Sequence, residues 1–133
     1  MKIRPVILCG GAGTRLWPKK KKQQAKQFID FGGWSLIQKT LQRIKKPFFD
    51  YPIISTNLKY LKQVRKSLKK NKIKKYKIVL EPAKKNTAPA ILSSALIKDI
   101  PLEQPLMYFA ADHLIEKSNI LNRAIIKNKI NLD

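Results

Sequence analysis

Short apolar runs alternate along this chain with longer stretches in which apolar residues recur every three or four positions. Pro5–Cys9 reads as a buried strand. Ser35–Ile44 reads as a helix: Ser35 and Gln38 have the spacing of a capping box, and Leu36, Ile37, Leu41 and Ile44 share one face. Pro52–Ser55 is a second strand. Asn57 can cap a helix carrying Leu58, Leu61, Val64 and Leu68. Lys77–Leu80 is a third strand. Thr87 can cap a helix whose first turn tolerates Pro89. Leu106–Ala110 is a fourth strand, and a last helix starts at Ser118 and runs through Leu121 and Ile125.

Strands that alternate with helices imply an α/β fold, Rossmann-like, with a mostly parallel sheet, right-handed crossovers and flanking helices. Ligands in such sheets bind beyond the carboxyl ends of the strands. The segments of interest are therefore Gly10–Lys26, Glu81–Thr87 and Ala111–Leu114, which are also the most distinctive in the sequence. No internal repeat and no Gly/Ser linker interrupts the chain, so residues 1–133 read as the N-terminal part of one domain, with no second domain. Pro18–Lys26, "PKKKKQQAK", is of low complexity and reads as a mobile loop. A sheet of four strands is small, and the architecture looks truncated. An unpaired sheet edge and an uncovered face would invite a protein partner or a second copy of the chain.

Composition changes this picture in two ways. Hydrophobic residues make up 44% of the 133, enough for a real core. Lys and Arg outnumber Asp and Glu by 29 to 8, for a formal net charge of +21. That charge would attract nucleic acid, anionic surfaces or phosphorylated ligands. However, 24 of the 29 cations are lysine, and base readout favours arginine. Abundant Lys, Ile and Asn also share A/T-rich codons, so the charge reads mainly as compositional drift on a solvated surface. Cys9 is the single cysteine, which excludes an internal disulfide and fits a reducing compartment. The opening apolar run is too short for a secretory signal and no stretch is long enough to span a membrane, so the expected location is the cytoplasm.

The first strand runs into Gly10-Gly11-Ala12-Gly13-Thr14-Arg15. A third fingerprint glycine is missing, because Leu16 stands there, and no Gly-Lys-Ser/Thr follows. Neither dinucleotide nor Walker A binding is indicated. Glycines nonetheless let backbone N–H groups face an anion, and Arg15 adds a fork of donors matched to phosphate oxygens. A tight strand-to-helix connection would use the same glycines.

The string "CGGAGTRLWP", followed by "AKQF", resembles the signature of sugar-phosphate nucleotidyltransferases, and specifically of mannose-1-phosphate guanylyltransferases. "GGWSLIQKTLQRI", "PIISTN", "LEPAKKNTAPAI" (Leu80–Ile91) and "AADHLI" (Ala110–Ile115) resemble later segments of that family in the same order. The resemblance implies attack of mannose 1-phosphate on the α-phosphorus of GTP, giving GDP-mannose and pyrophosphate with Mg²⁺ as cofactor. It implies a cradle of Gly10, Gly11 and Gly13 with Thr14, and cationic roles at the reaction centre for Arg15 and Lys26. Asn86, Thr87 and Ala88 match the nucleoside pocket, Glu81 would hydrogen-bond either the nucleoside or the loop backbone, and Asp112 matches the metal ligand. Each has a plainer reading: Lys26 as one surface lysine among 24, Asp112 as a helix cap, Thr87 as an N-cap. His113 reads as structural, and Trp17 and Trp34 as packing residues.

Three departures bear on activity. Lys19-Lys20-Lys21 replaces the Leu-Ser-Arg that usually follows Trp-Pro in this family, keeping charge but not bidentate geometry. Ala25 stands where the family has proline, which would leave Lys26 less firmly placed. The sugar-phosphate segment and the second metal-binding Asp have no counterpart, so the expectation is a nucleotide-binding part that is inactive alone. Two other classes stay open: a non-catalytic nucleotide-binding partner of a longer enzyme, and a basic nucleic-acid binder using Lys19–Lys22 and Lys69–Lys77. The last lacks the interleaved aromatics that single-strand binders favour.

Overall fold

The computed structural model describes residues 1–11, 24–81 and 87–129. Four strands, β1 (Arg4–Leu8), β2 (Ile53–Thr56), β3 (Lys77–Leu80) and β4 (Leu106–Ala110), form one sheet in the order β3-β2-β1-β4. Every pairing is parallel. The helices are α1 (Leu36–Arg43), α2 (Leu61–Lys70), α3 (Thr87–Ala95) and α4 (Ser118–Lys129). Short 3-10 turns cover Lys26–Phe28 and Leu58–Tyr60. The α/β alternation expected from the sequence is the observed one.

Both central strands are buried on both faces, as parallel strands require. Register explains how. Ile7 lies opposite Ile54 and Phe109, and these point to one core with Ile37, Leu41, Val64 and Leu68 of α1 and α2 and with Ile125 of α4. Val6 lies opposite Ile53 and Tyr108 and points to the other face, against Ile97 and Ile100. One residue of slip would exchange the two sets.

The two faces are unequally covered. On the first, Ile37, Leu41, Val64 and Leu68 are fully enclosed. On the second, α3 buries only Ala90 and Ser94 and leaves Ile91 and Leu92 exposed, as is Leu96 just past its end. Among the described residues, β3 and β4 are the outer strands, with one side of each ladder unpaired.

Local chemistry sets the boundaries. Gln38 Oε1 accepts the Ser35 N–H at 2.9 Å, which fixes the start of α1. Asn57 Oδ1 accepts the Tyr60 N–H at 3.2 Å and starts a 3-10 turn that passes into α2. The helix after β2 therefore begins later than its cap residue suggests. α3 begins at Thr87 itself, so Thr87 belongs to the first turn and is not the cap; Asn86 lies outside the described residues. Most of the loop expected at Pro18–Lys26 also lies outside them. Its last residues do not behave as a loose loop: Ala25 is buried and Lys26 opens a turn whose Gln27 and Phe28 enter the core.

Candidate nucleotide site at the carboxyl edge

Strand order reverses direction at β1: the chain builds β1, β2 and β3 outward on one side, then returns to place β4 on the other. A crevice opens at such a switch point, beyond the carboxyl ends of the strands. Gly10 and Gly11 follow β1 there, Ala111 and Asp112 follow β4, and Glu81 follows β3. Three backbone bonds hold these ends level: Cys9 N to Ser55 O at 2.7 Å, Glu81 N to Thr56 O at 2.8 Å, and Ala111 N to Leu8 O at 3.1 Å.

The glycine turn is gripped by side chains. Thr56 Oγ1 donates to Cys9 O at 3.2 Å, Asn57 Nδ2 to Gly10 O at 3.0 Å, and Gln27 Nε2 to Gly11 O at 2.8 Å. Gln27 is only 3% exposed and also approaches Cys9 O at 3.5 Å. The bond from Gln27 anchors the "AKQF" segment against the end of β1, and the neighbouring Lys26 is held at the same edge. Ala25 adopts φ −61° and ψ 134°. That φ is the value proline would impose, so this backbone already has the shape the missing proline would enforce.

Glu81 packs against Gly10. A Cβ at Gly10 would lie 2.8 and 2.9 Å from the two Glu81 carboxylate oxygens, so a larger residue here would displace that carboxylate. Ser55 Oγ donates to Glu81 Oε1 at 2.6 Å and fixes that carboxylate. The Cys9 thiol beneath the turn is fully buried. Burial pushes its pKa up to about 12; hydrogen bonds with Gln27 and Thr56 oppose the rise, while the charges of Asp112 and Glu81 add to it. Cys9 is a small neutral packing group and not a nucleophile.

Asp112 is 39% exposed, and its Oδ1 lies 3.8 Å from Nε2 of the more exposed His113. Helix α4 starts only at Ser118, so Asp112 caps no helix. Thr87 and Ala88 are exposed at the start of α3. Gly13, Thr14, Arg15 and Asn86 lie outside the described residues, as do Trp17 and Lys19–Lys22. Trp34 is half-buried beneath Lys70, whose Nζ is 4.9 Å from the ring centre. Sequence reasoning identified Asn57 only as a cap and missed Thr56 and Gln27 as holders of the turn. The available signal was a run of polar residues, Ser55-Thr56-Asn57, closing an otherwise apolar buried strand.

Two other features lie away from this edge. A cavity of about 360 Å³, lined by apolar side chains including Ile3, Met107, Leu121 and Ile125, sits between β4 and α4 and has none of the site's polar groups. The Lys69–Lys77 run leads into the start of β3, at the amino edge of the sheet. Among the described residues no cluster of three metal-ligating side chains occurs, and no helix is long and apolar enough to cross a membrane.

Comparison with known proteins agrees with this architecture. Mannose-1-phosphate guanylyltransferase 2 of Escherichia coli O157:H7 is 38% identical over 127 residues, covering 92% of this chain and 26% of that protein. The alginate biosynthesis protein AlgA of Pseudomonas fluorescens is 37% identical over 123 residues, covering 91% of this chain and 26% of that protein. This chain thus spans about a quarter of the length of these curated relatives. The crystal structure of a mannose-6-phosphate isomerase from Helicobacter pylori superposes with a TM-score of 0.74 at 30% identity, over 97% of this chain and 46% of that one. A nucleotidyl transferase from Methanothermobacter thermautotroptrophicus shares the fold at a TM-score of 0.68 and 19% identity, over 92% of this chain and 56% of that one. The Nucleotidyl transferase family profile matches residues 4–131, nearly the whole chain, and the protein belongs to that family.

Proposed function

We propose that this chain carries the nucleotide-binding part of a mannose-1-phosphate guanylyltransferase, which joins GTP and mannose 1-phosphate into GDP-mannose with release of pyrophosphate. The observation that carries the reading is the glycine turn at the switch point: side chains of Thr56, Asn57 and Gln27 engage its carbonyls, and carboxylates follow the flanking strands. Similarity to the guanylyltransferases supports the choice of substrates.

In this reading, Gly10, Gly11, Gly13 and Thr14 offer N–H groups to the triphosphate, and Arg15 holds the departing β- and γ-phosphates. Lys26 neutralises charge near the reacting phosphorus. Both reactants are already ionised, so the chemistry requires positioning and neutralisation more than a base. Glu81, fixed by Ser55, is an acceptor suited to the adjacent N–H donors of guanine, and Asn86, Thr87 and Ala88 line the nucleoside side. Asp112 fits Mg²⁺ in type and number: Mg²⁺ is usually held by one or two carboxylates, with phosphate oxygens and water completing its shell. When bound, Mg²⁺ would supply charge neutralisation between the phosphates.

The relatives are about four times longer, so the isolated 133-residue chain is expected to bind nucleotide without completing transfer. Calorimetry of GTP, UTP and ATP binding, with Mg²⁺ at two salt concentrations, tests the proposal. Preference for GTP that is Mg²⁺-dependent, lost in Asp112→Ala and weakened in Arg15→Ala, is the expected result. Equal, weak and salt-sensitive binding of all three would mean that the lysines act as a bare charge field.

A further inference from the structure

Three consecutive carbonyls, of Cys9, Gly10 and Gly11, accept hydrogen bonds from side chains belonging to two other segments. A peptide's N–H points opposite to the carbonyl of the residue before it, and all described peptides here are trans. Binding the Cys9 carbonyl toward Thr56 therefore turns the Gly10 N–H away from β2. Binding the Gly10 carbonyl toward Asn57 does the same for the Gly11 N–H. Among the described residues, neither N–H meets an acceptor. Without these donors, two glycines in succession would leave the peptide planes free to rotate.

We propose that Asn57 and Gln27 are positioning residues for anion binding: Asn57, on the Gly10 carbonyl, sets the Gly11 N–H, and Gln27, which reaches the Cys9 carbonyl at 3.5 Å beside Thr56, helps to set the Gly10 N–H, so that both N–H groups face a bound phosphate. The inference rests on the nucleotide-binding reading above. Asn57 is chemically specific to this task. Its Oδ1 accepts from Tyr60 N at 3.2 Å while its Nδ2 donates to Gly10 O at 3.0 Å. An aspartate could do only the first. A serine can cap the turn but is too short to span both partners. One amide thus ties the start of the α2 segment to the phosphate turn. Gln27 is nearly fully buried and locks the other side. Neither residue touches the anion; both act through backbone.

The test uses the full chain, with inorganic pyrophosphate and GTP–Mg²⁺ as probes, and the amide resonances of Gly10 and Gly11 as a second readout. Asn57→Ser keeps a cap for Tyr60 and removes the donor to Gly10. Gln27→Met keeps the reach and bulk and removes the donor to the Cys9 and Gly11 carbonyls. Each is expected to weaken pyrophosphate binding about tenfold, with the melting temperature nearly unchanged in Asn57→Ser, and to shift the glycine amides. Wild-type affinity in both variants, with unmoved Gly10 and Gly11 amides, overturns the proposal. A wild-type chain that binds neither probe defeats the nucleotide reading instead. The positioning inference is then decided by the amides alone, and unmoved resonances overturn it.

Discussion

The two edges of the sheet hold their backbone by different chemistry. At the amino edge, Arg4 is nearly buried and closes a set of charged contacts: Nη2 to Asp50 Oδ2 at 2.7 Å, Nε to Gln104 Oε1 at 2.8 Å, Nη1 to Tyr51 O at 3.1 Å, and its guanidinium 3.8 Å from the Tyr51 ring centre. Gln104 also donates to Asp50 Oδ2 at 3.1 Å. At the carboxyl edge, neutral donors from Thr56, Asn57 and Gln27 hold a glycine turn by its carbonyls. The Arg4–Asp50–Gln104 cluster satisfies its own polar groups. The carboxyl edge leaves backbone donors turned outward, which suits a ligand that brings negative charge. The same device, side chains gripping backbone, makes a structural clamp in one place and, in the proposed function, a binding cradle in the other.

The largest expected effect comes from breaking the amino-edge clamp. Arg4→Ala removes the cation bonded to Asp50 and leaves only the charge of Lys75 near it; because Asp50 is 30% exposed, the cost is expected near the lower end for a buried pair, about 3 kcal/mol. Chemical denaturation measures it. Nucleotide affinity of the folded protein should stay at the wild-type value. A parallel loss of affinity would show that the edges are not independent.

pH separates the edges next, because their titrating groups act at opposite ends of the scale. Burial alone would raise the Asp50 carboxyl, but the Gln104 and Tyr51 hydrogen bonds and the charges of Arg4 and Lys75 outweigh it and hold the pKa below its usual 3.8. Its contribution to stability is present above that value and is lost as pH falls beneath it, so Arg4→Ala should flatten the acid limb of the stability curve. Cys9 has the opposite sign. Its pKa rises from 9.0 to about 12 in the folded chain, so its contribution is whole below pH 9 and declines between pH 9 and 12. The slope is at most about 1.4 kcal/mol per pH unit. Subtracting the curve of Cys9→Ala, measured by denaturation at each pH, isolates it.

Gly10→Ala sharpens the comparison at the site itself. The added Cβ would meet the Glu81 carboxylate at 2.8 Å. The carboxylate ends a flexible side chain, so it can swing away, losing its bond from Ser55. Stability is expected to fall by about 1 kcal/mol, and GTP affinity about tenfold, or ~1.4 kcal/mol. Combining Gly10→Ala with Glu81→Ala removes the clash, so the two stability losses should not add. Additive losses would show that the two groups do not meet.

The elements were legible in the sequence because their periods are local. Lys77–Leu80 and Leu106–Ala110 have the bounds their apolar runs imply, and Leu41 and Val64 face the core as their spacing requires. The position of the candidate site was legible for a second reason: glycines after a buried strand place bare backbone at the edge where parallel sheets bind ligands. What holds the turn was not legible. Asn57 lies 47 residues from Gly10 in the chain, and only the pairing of β1 with β2 brings them together. Its cap role is a local pattern and was readable; its second bond depends on tertiary placement. Strand order, which creates the switch point beside β4, is likewise a tertiary property that no local pattern carries.

The smallest expected effect concerns Ala25, where the sequence pointed to a weakened anchor for Lys26. The structure changes the sign of that expectation. Ala25 already has φ −61°, and among the described residues its N–H donates to no backbone acceptor. Proline at this position would restrict the unfolded chain more than it alters the folded one, so Ala25→Pro is expected to stabilise by about 0.5 kcal/mol. Thermal melts measure the gain. Ala25 is buried, so the pyrrolidine ring must share space with its neighbours in the core. A raised melting temperature with unchanged GTP affinity would mean that Gln27, through Gly11, is what places Lys26. A raised temperature with tighter binding would mean that segment stiffness also contributes. A lowered melting temperature would mean that the ring does not fit, and that packing at the carboxyl edge is as exacting as at the amino edge.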